Sequence, residues 1–114
     1  MPHAPFSALL LAASLAACAG RGGTATCQPR RMEVSNIAAR PVEQFYYGAP
    51  GRWGEDLLRG VEMAPGTTRS MVLPGIAGYT LRAVWTDGRA IEMRGFEACR
   101  NTRIVMAEGG IRAD

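Results

Sequence analysis

Nucleophilic attack, metal ligation and proton transfer need particular side chains, and this chain offers three cysteines, one histidine and ten carboxylates for them. The histidine is His3, inside the N-terminal leader, so a chain processed behind that leader has none. That excludes a Ser-His-Asp or Cys-His arrangement and removes the commonest zinc ligand. Paired carboxylates remain, with Glu55, Asp56, Glu62, Glu92 and Glu97 as the candidates. Glycoside hydrolysis needs two carboxyls facing each other at a set separation, and nothing in the sequence marks such a pair. Solvated surface acids are the better reading of each. Met32, Met63, Met71, Met93 and Met106 carry thioethers that suit Cu(I), but they occur singly along strand candidates, as core filling does. No phosphate-binding glycine loop or dinucleotide fingerprint is present. The inventory therefore predicts no catalytic site, no metal site and no cofactor.

The cysteines say more. Leu15-Ala16-Ala17-Cys18 comes directly after the apolar run 8–15 and resembles the lipobox of a bacterial lipoprotein signal. An apolar core of about ten residues suits a secretory signal and is half of what spans a bilayer. The resemblance implies cleavage before Cys18 and lipidation of its thiol, leaving a signal peptide at 1–17 and a lipidated cysteine with its tether at 18–26. The leader lacks Lys and Arg, so either the terminal amine alone supplies its positive charge or the start codon is misassigned. Ala17-Cys18-Ala19 also fits an ordinary signal cut after Ala19, which would give a free periplasmic protein. In such lipoproteins Asp after the cysteine favours inner-membrane retention. Ala19 stands there, so the expected place is the periplasmic face of the outer membrane, with the lipid as the membrane contact. Residues 19–26 are glycine-rich and free of large apolar groups, the composition of a flexible tether reaching at most ~28 Å.

Beyond the tether lies one small domain, 27–107, with a C-terminal tail at 108–114. A domain of this size buries only about 60% of its unfolded surface and is marginal without a staple. Cys27 and Cys99 lie near its two ends, and the export signal places them in an oxidising compartment. With Cys18 taken by lipid, the odd cysteine count leaves one pair; the alternative is two separate thiols. A bridge would set the first and last strands side by side.

The elements that must position all of this are short strands broken by Pro and Gly, with no sustained helical period. The candidates are 32–36, 42–47, 61–63, 67–73, 79–85, 89–94 and 102–106. Six or seven short strands predict an all-β fold, a small β-sandwich, immunoglobulin-like or related. Pro65-Gly66 suits a type II turn. Around Asp87-Gly88 two registers compete. A two-residue loop would set Leu81 opposite Arg94 and Ala83 opposite Glu92, mixing charge into an apolar face. A three-residue loop, Thr86-Asp87-Gly88, sets Ala83 opposite Ile91 and Leu81 opposite Met93, with Gly88 at a left-handed bulge position. Arg82 then meets Glu92 on the outer face, and this register is the one predicted.

The connection 48–60 is long for a sandwich and carries the partner-binding candidates Arg52, Trp53, Glu55 and Asp56. Residues 55–58 suit a single helical turn, its acids near the positive N-terminal end. Two readings of Trp53 stand. In one, Trp53, Leu57 and Leu58 plug an end of the sandwich. In the other, Trp53 with Arg52 and Tyr46 or Tyr47 is an exposed anchor, aromatics and arginine being the usual anchor residues. Trp53-Gly54-Glu55-Asp56-Leu57-Leu58, then Tyr79-Thr80-Leu81-Arg82-Ala83-Val84, then Asp87-Gly88 and Cys99, is similar to a group of small proteobacterial exported domains of unknown function. Their pattern runs Trp-Gly-x-Asp-Leu-Leu, Tyr-Asp-Leu-Arg-x-Val, Asp-Gly and a late Cys, and the resemblance covers 34–106. It implies a β-rich fold. Thr80 stands where the pattern has Asp, and Gly78 where a cysteine precedes the Tyr; if the family bridge uses that cysteine, Cys27 replaces it here.

The net charge of +3 comes with arginine as the only strong base and no run longer than Arg30-Arg31, so nucleic-acid binding is not indicated. A weak attraction to lipid phosphates or lipopolysaccharide fits the sign. The function expected is a lipid-anchored, non-catalytic binding or structural module of the cell envelope, with an envelope protein as partner. The runner-up is an inhibitor or accessory subunit of a periplasmic hydrolase, and an enzyme using paired carboxylates comes third.

Overall fold

Along 31–36 the inward residues Met32, Val34 and Asn36 are fully buried while Arg31 and Glu33 face solvent, the alternation of a strand with one buried face. The structure, a computed structural model, describes residues 26–114 and places this run in β1 (Thr26–Asn36). The other strands are β2 (Val42–Gly48), β3 (Thr68–Ile76), β4 (Tyr79–Trp85), β5 (Ala90–Phe96), β6 (Arg103–Ala107) and β7 (Gly110–Ala113). They form a four-stranded sheet, β3-β1-β6-β7, and a three-stranded sheet, β2-β4-β5. The fold is the all-β sandwich that the strand pattern predicts. Its core joins Met32, Leu73, Ile104 and Met106 from the larger sheet to Phe45, Leu81, Trp85 and Phe96 from the smaller. The signal segment, Cys18 and the tether up to residue 25 lie outside the described residues.

Cys27 and Cys99 are bonded, with Cα atoms 5.9 Å apart across 72 residues of chain. The bridge ties the start of β1 to the turn before β6, and these two strands lie side by side and parallel. In the chain-entropy model a loop of this length is worth about 4 kcal/mol. Arg30 adds to the joint by donating from its guanidinium to the Cys99 carbonyl. Gly75 pairs with Cys27 across the β1/β3 ladder, where the backbone comes so close that a Cβ would lie 2.3 Å from the Cys27 carbonyl oxygen.

The β4/β5 hairpin has the predicted register: Ala83 faces Ile91, Leu81 faces Met93 and Arg82 faces Glu92. Gly88 takes the left-handed conformation there, with φ 90°. Pro65-Gly66 also forms its turn, Thr67 N–H donating to the Ala64 carbonyl at 3.2 Å with Gly66 at φ 80°.

Four expectations need correction. The segment 61–63 is not a strand; only Met63 bridges to Val42, because the chain is there still crossing from one sheet to the other. β1 begins six residues before the expected 32. Pro29 has no N–H to offer a ladder, and it sits where the β1/β3 register shifts between Cys27 and Arg30. β3 likewise runs on through Pro74, which an edge strand tolerates. The tail expected at 108–114 is instead mostly strand, since Ala107 pairs with Gly110 and β7 extends the larger sheet beside β6.

Candidate functional site

Loop 49–60 is built from turns rather than a helix. Arg52 N–H donates to the Ala49 carbonyl at 2.8 Å across Pro50-Gly51, with Gly51 at φ 82° as a type II turn requires. The expected helical turn at 55–58 does not form: Arg59 N–H bonds back only three residues, to the Asp56 carbonyl at 3.0 Å, and Arg59 at φ 53° and Gly60 at φ 81° then carry the chain on in left-handed conformation. The Asp56 carboxylate organises this part instead. Oδ1 accepts Leu58 N–H at 2.9 Å and Phe45 N–H at 3.0 Å, and Oδ2 accepts Gly60 N–H at 3.2 Å. Leu57 N–H returns to the Phe45 carbonyl at 2.8 Å. Both polar groups of Phe45 on the free side of edge strand β2 are thus satisfied by the loop, which blunts an edge that would otherwise invite pairing.

The residues singled out in the loop go to different places. Leu58 is buried and Leu57 packs on the core, so these two close the sandwich as one reading expects. Trp53 is not with them. It is half-buried on the outer face of the three-stranded sheet, its ring 6.4 Å from that of Tyr46 and 5.7 Å below the Arg82 guanidinium. Arg82 is the cross-strand partner of both Tyr46 and Glu92, and its guanidinium meets the Glu92 carboxylate at 2.5 Å. The Tyr46 hydroxyl donates to Gln44 Oε1 at 2.9 Å. Tyr47, one residue on, points inward and is buried against Tyr79 and Phe96. Arg52 and Glu55 are exposed beside Trp53, whereas Asp56 is committed to the backbone.

The platform is therefore Trp53 over a row Tyr46, Arg82, Glu92, with one ring, one cation and one anion fixed by strand register. On sequence alone the pairing of Arg82 with Glu92 serves only as a register marker. The outward side of β4 in the predicted hairpin, combined with the β2 partner of Arg82, is the signal that would add Trp53's neighbours. The indole that fills the core is Trp85, which is 2% exposed.

Chemically the platform can stack on a flat or apolar group and exchange hydrogen bonds at its rim. Among the described residues no three His, Cys, Asp or Glu side chains come together as metal ligands would. Elsewhere, Asp87 is held below the usual carboxylate range, chiefly by the Arg89 N–H at 3.0 Å; desolvation opposes this, and the Arg89 side-chain hydrogen bond and the Arg89 and Arg40 charges add to the lowering. Arg40 joins Asp87 at 2.7 Å to Glu108 at 3.1 Å and lies over the Trp85 ring, tying three loops at one end of the sandwich.

Fold and surface together define the class: a disulfide-stapled, two-sheet β-sandwich whose β2-to-β3 loop lays Trp53 over Tyr46 and Arg82 on the outer face of the smaller sheet. No protein-family model, curated protein or solved structure matches the chain.

Proposed function

We propose that this chain is a non-catalytic binding module of the bacterial cell envelope, tethered by lipid on Cys18 and engaging an envelope protein through Trp53, Tyr46 and Arg82. The observation that carries this reading is the position of Trp53. A large aromatic held half-open outside the core, under an arginine and beside a tyrosine, has the composition and fixation of an interface anchor. Core filling gives no reason for it, since Trp85 and Phe96 already supply the large inward rings. Arg52 and Glu55 flank it as polar rim, the usual surround of such an anchor. Asp56 acts indirectly by holding the loop.

The test separates the tether from the surface. Fatty-acid labelling in cells should mark the wild-type chain and leave Cys18→Ala unmarked; equal labelling would remove the lipid anchor. Affinity capture of wild type against Trp53→Ala, Arg82→Gln and Tyr46→Ala should then lose the same partner in all three. A partner retained by all three variants would remove the surface.

A further inference from the structure

Three arginines from three separate segments line one cleft beside β3, an edge strand of the larger sheet. Arg31 comes from β1, Arg69 from β3 and Arg59 from the loop between β2 and β3. With Ser70 they rim an open cleft of about 390 Å³ whose apolar wall includes Leu57 and Met71. That volume lies within the roughly 300–1,000 Å³ common for small-molecule sites.

None of the three forms an ion pair with a described carboxylate; the ion pairs among the described residues belong to Arg40, Arg82 and Arg89. Two of them are nonetheless held in place. Arg31 Nη1 donates to Ser70 Oγ at 3.1 Å, and Arg69 donates from Nη1 and Nη2 to the Val61 and Glu62 carbonyls at 3.0 and 3.1 Å. A guanidinium carries five N–H donors, so most of the donor capacity here is unused by the described protein. Ser70 accepts from Arg31, which leaves its own hydroxyl proton to give.

Arg59 is the third guanidinium and its backbone sets it apart. It is the one described residue other than glycine with a positive φ, 53°. The turn is enforced by Asp56, whose carbonyl accepts Arg59 N–H at 3.0 Å and whose carboxylate accepts Gly60 N–H at 3.2 Å. Glycine or asparagine would take this conformation with less strain, so the loop holds an arginine where the backbone disfavours one.

We propose that this cleft binds a phosphate-bearing ligand, the phosphate seated among Arg31, Arg59 and Arg69 with the Ser70 hydroxyl donating to it. The planar fork of arginine matches phosphate oxygens two at a time, and the wall of Leu57 and Met71 receives the apolar part of the ligand. The site is separate from the Trp53 platform and does not depend on it. A soluble phosphate ester and a membrane lipid headgroup present the same chemistry, and two arms of one experiment tell them apart.

In the first arm, inorganic phosphate is titrated into the purified full chain and backbone amide shifts are followed by NMR. Saturable shifts at Arg59, Ser70 and Met71 are expected, with affinity falling about tenfold or more in Arg59→Gln and again in Arg31→Gln, each removing a charge-assisted contact. Both side chains are exposed, and unchanged shifts elsewhere in the spectrum show that the variants stay folded. In the second arm, flotation with phosphatidylglycerol vesicles compares wild type with the double variant, so that the N-terminal segment contributes equally to both. A vesicle difference supports the site with a lipid headgroup as ligand, and phosphate shifts without a vesicle difference support it with a soluble ester. The proposal is overturned if neither arm shows binding, or if binding is the same in wild type and both variants.

Discussion

The Asp56 carboxylate reaches the Phe45 backbone N–H at 3.0 Å and so joins the long loop to the edge of the smaller sheet. One side chain thereby serves an edge strand, a turn and the approach to Arg59. Asp56→Ala removes three acceptor contacts, one of them to a strand N–H that the loop shields, and should destabilise the domain by about 2 kcal/mol. Asp56→Asn keeps one oxygen and should lose less. Urea unfolding midpoints read both values.

The two tryptophans should respond in opposite ways. Trp85 is core, and Trp85→Ala should cost about 3–5 kcal/mol. Trp53→Ala gives up a tilted contact with Tyr46, a cation contact with Arg82 and the cover of a half-buried ring, about 1–2 kcal/mol together. Thermal melts of the two variants side by side decide this.

The bridge region should be intolerant in two ways. Reduction, or Cys27→Ser with Cys99→Ser, should lower stability by about 4 kcal/mol, a large share of what a small domain has. Gly75→Ala should do comparable damage with both cysteines present, because its Cβ would collide with the backbone oxygens of Cys27 and Gln28 and with the Cys27 Sγ itself. Calorimetry with and without reductant measures both.

High pH should loosen the sandwich through Tyr47. Its hydroxyl donates to the Pro74 carbonyl at 2.9 Å and accepts Ile76 N–H at 3.1 Å, pinning β2 to the end of β3. Burial raises its phenol above the ordinary 10.0, partly offset by the backbone bond to Ile76 and reinforced by Tyr79. The unfolded chain then gives up this proton more readily than the folded one. The contribution is whole below about pH 10 and is lost as pH rises through the folded value. Tyr47→Phe should be about 1 kcal/mol weaker at neutral pH and decline less steeply above pH 10, as urea midpoints across that range would show.

The β4/β5 hairpin is legible to the residue because only one register keeps charge off the apolar face, and Gly88 and Arg82 each agree with it. The disulfide is legible because Cys27 and Cys99 are the pair that remains once Cys18 is set aside for the lipid its lipobox-like context predicts. Proline misleads in β1 and β3: it signals a break, yet both strands run on through Pro29 and Pro74, one at a register shift and one on an edge. β7 escapes notice since its Glu108-Gly109 turn is a weaker hairpin signal than Asn-Gly or Asp-Gly. Trp53 and Asp56 stand out together as a group, but a loop has no periodicity to say which side chain turns in, and here backbone hydrogen bonds claim the aspartate. Arg31, Arg59 and Arg69 are spread over three segments; the β1/β3 pairing brings Arg31 and Arg69 to one edge, and the β2-to-β3 crossing adds Arg59.

The most direct measurement is photo-crosslinking in cells from a probe at position 53, with a second probe at position 112 on β7 as control. A partner surface at Trp53 predicts one dominant adduct from position 53 that is absent from position 112 and is lost when Arg82→Gln is added. A folded probe variant that yields no specific adduct, or the same adducts from both positions, would contradict it.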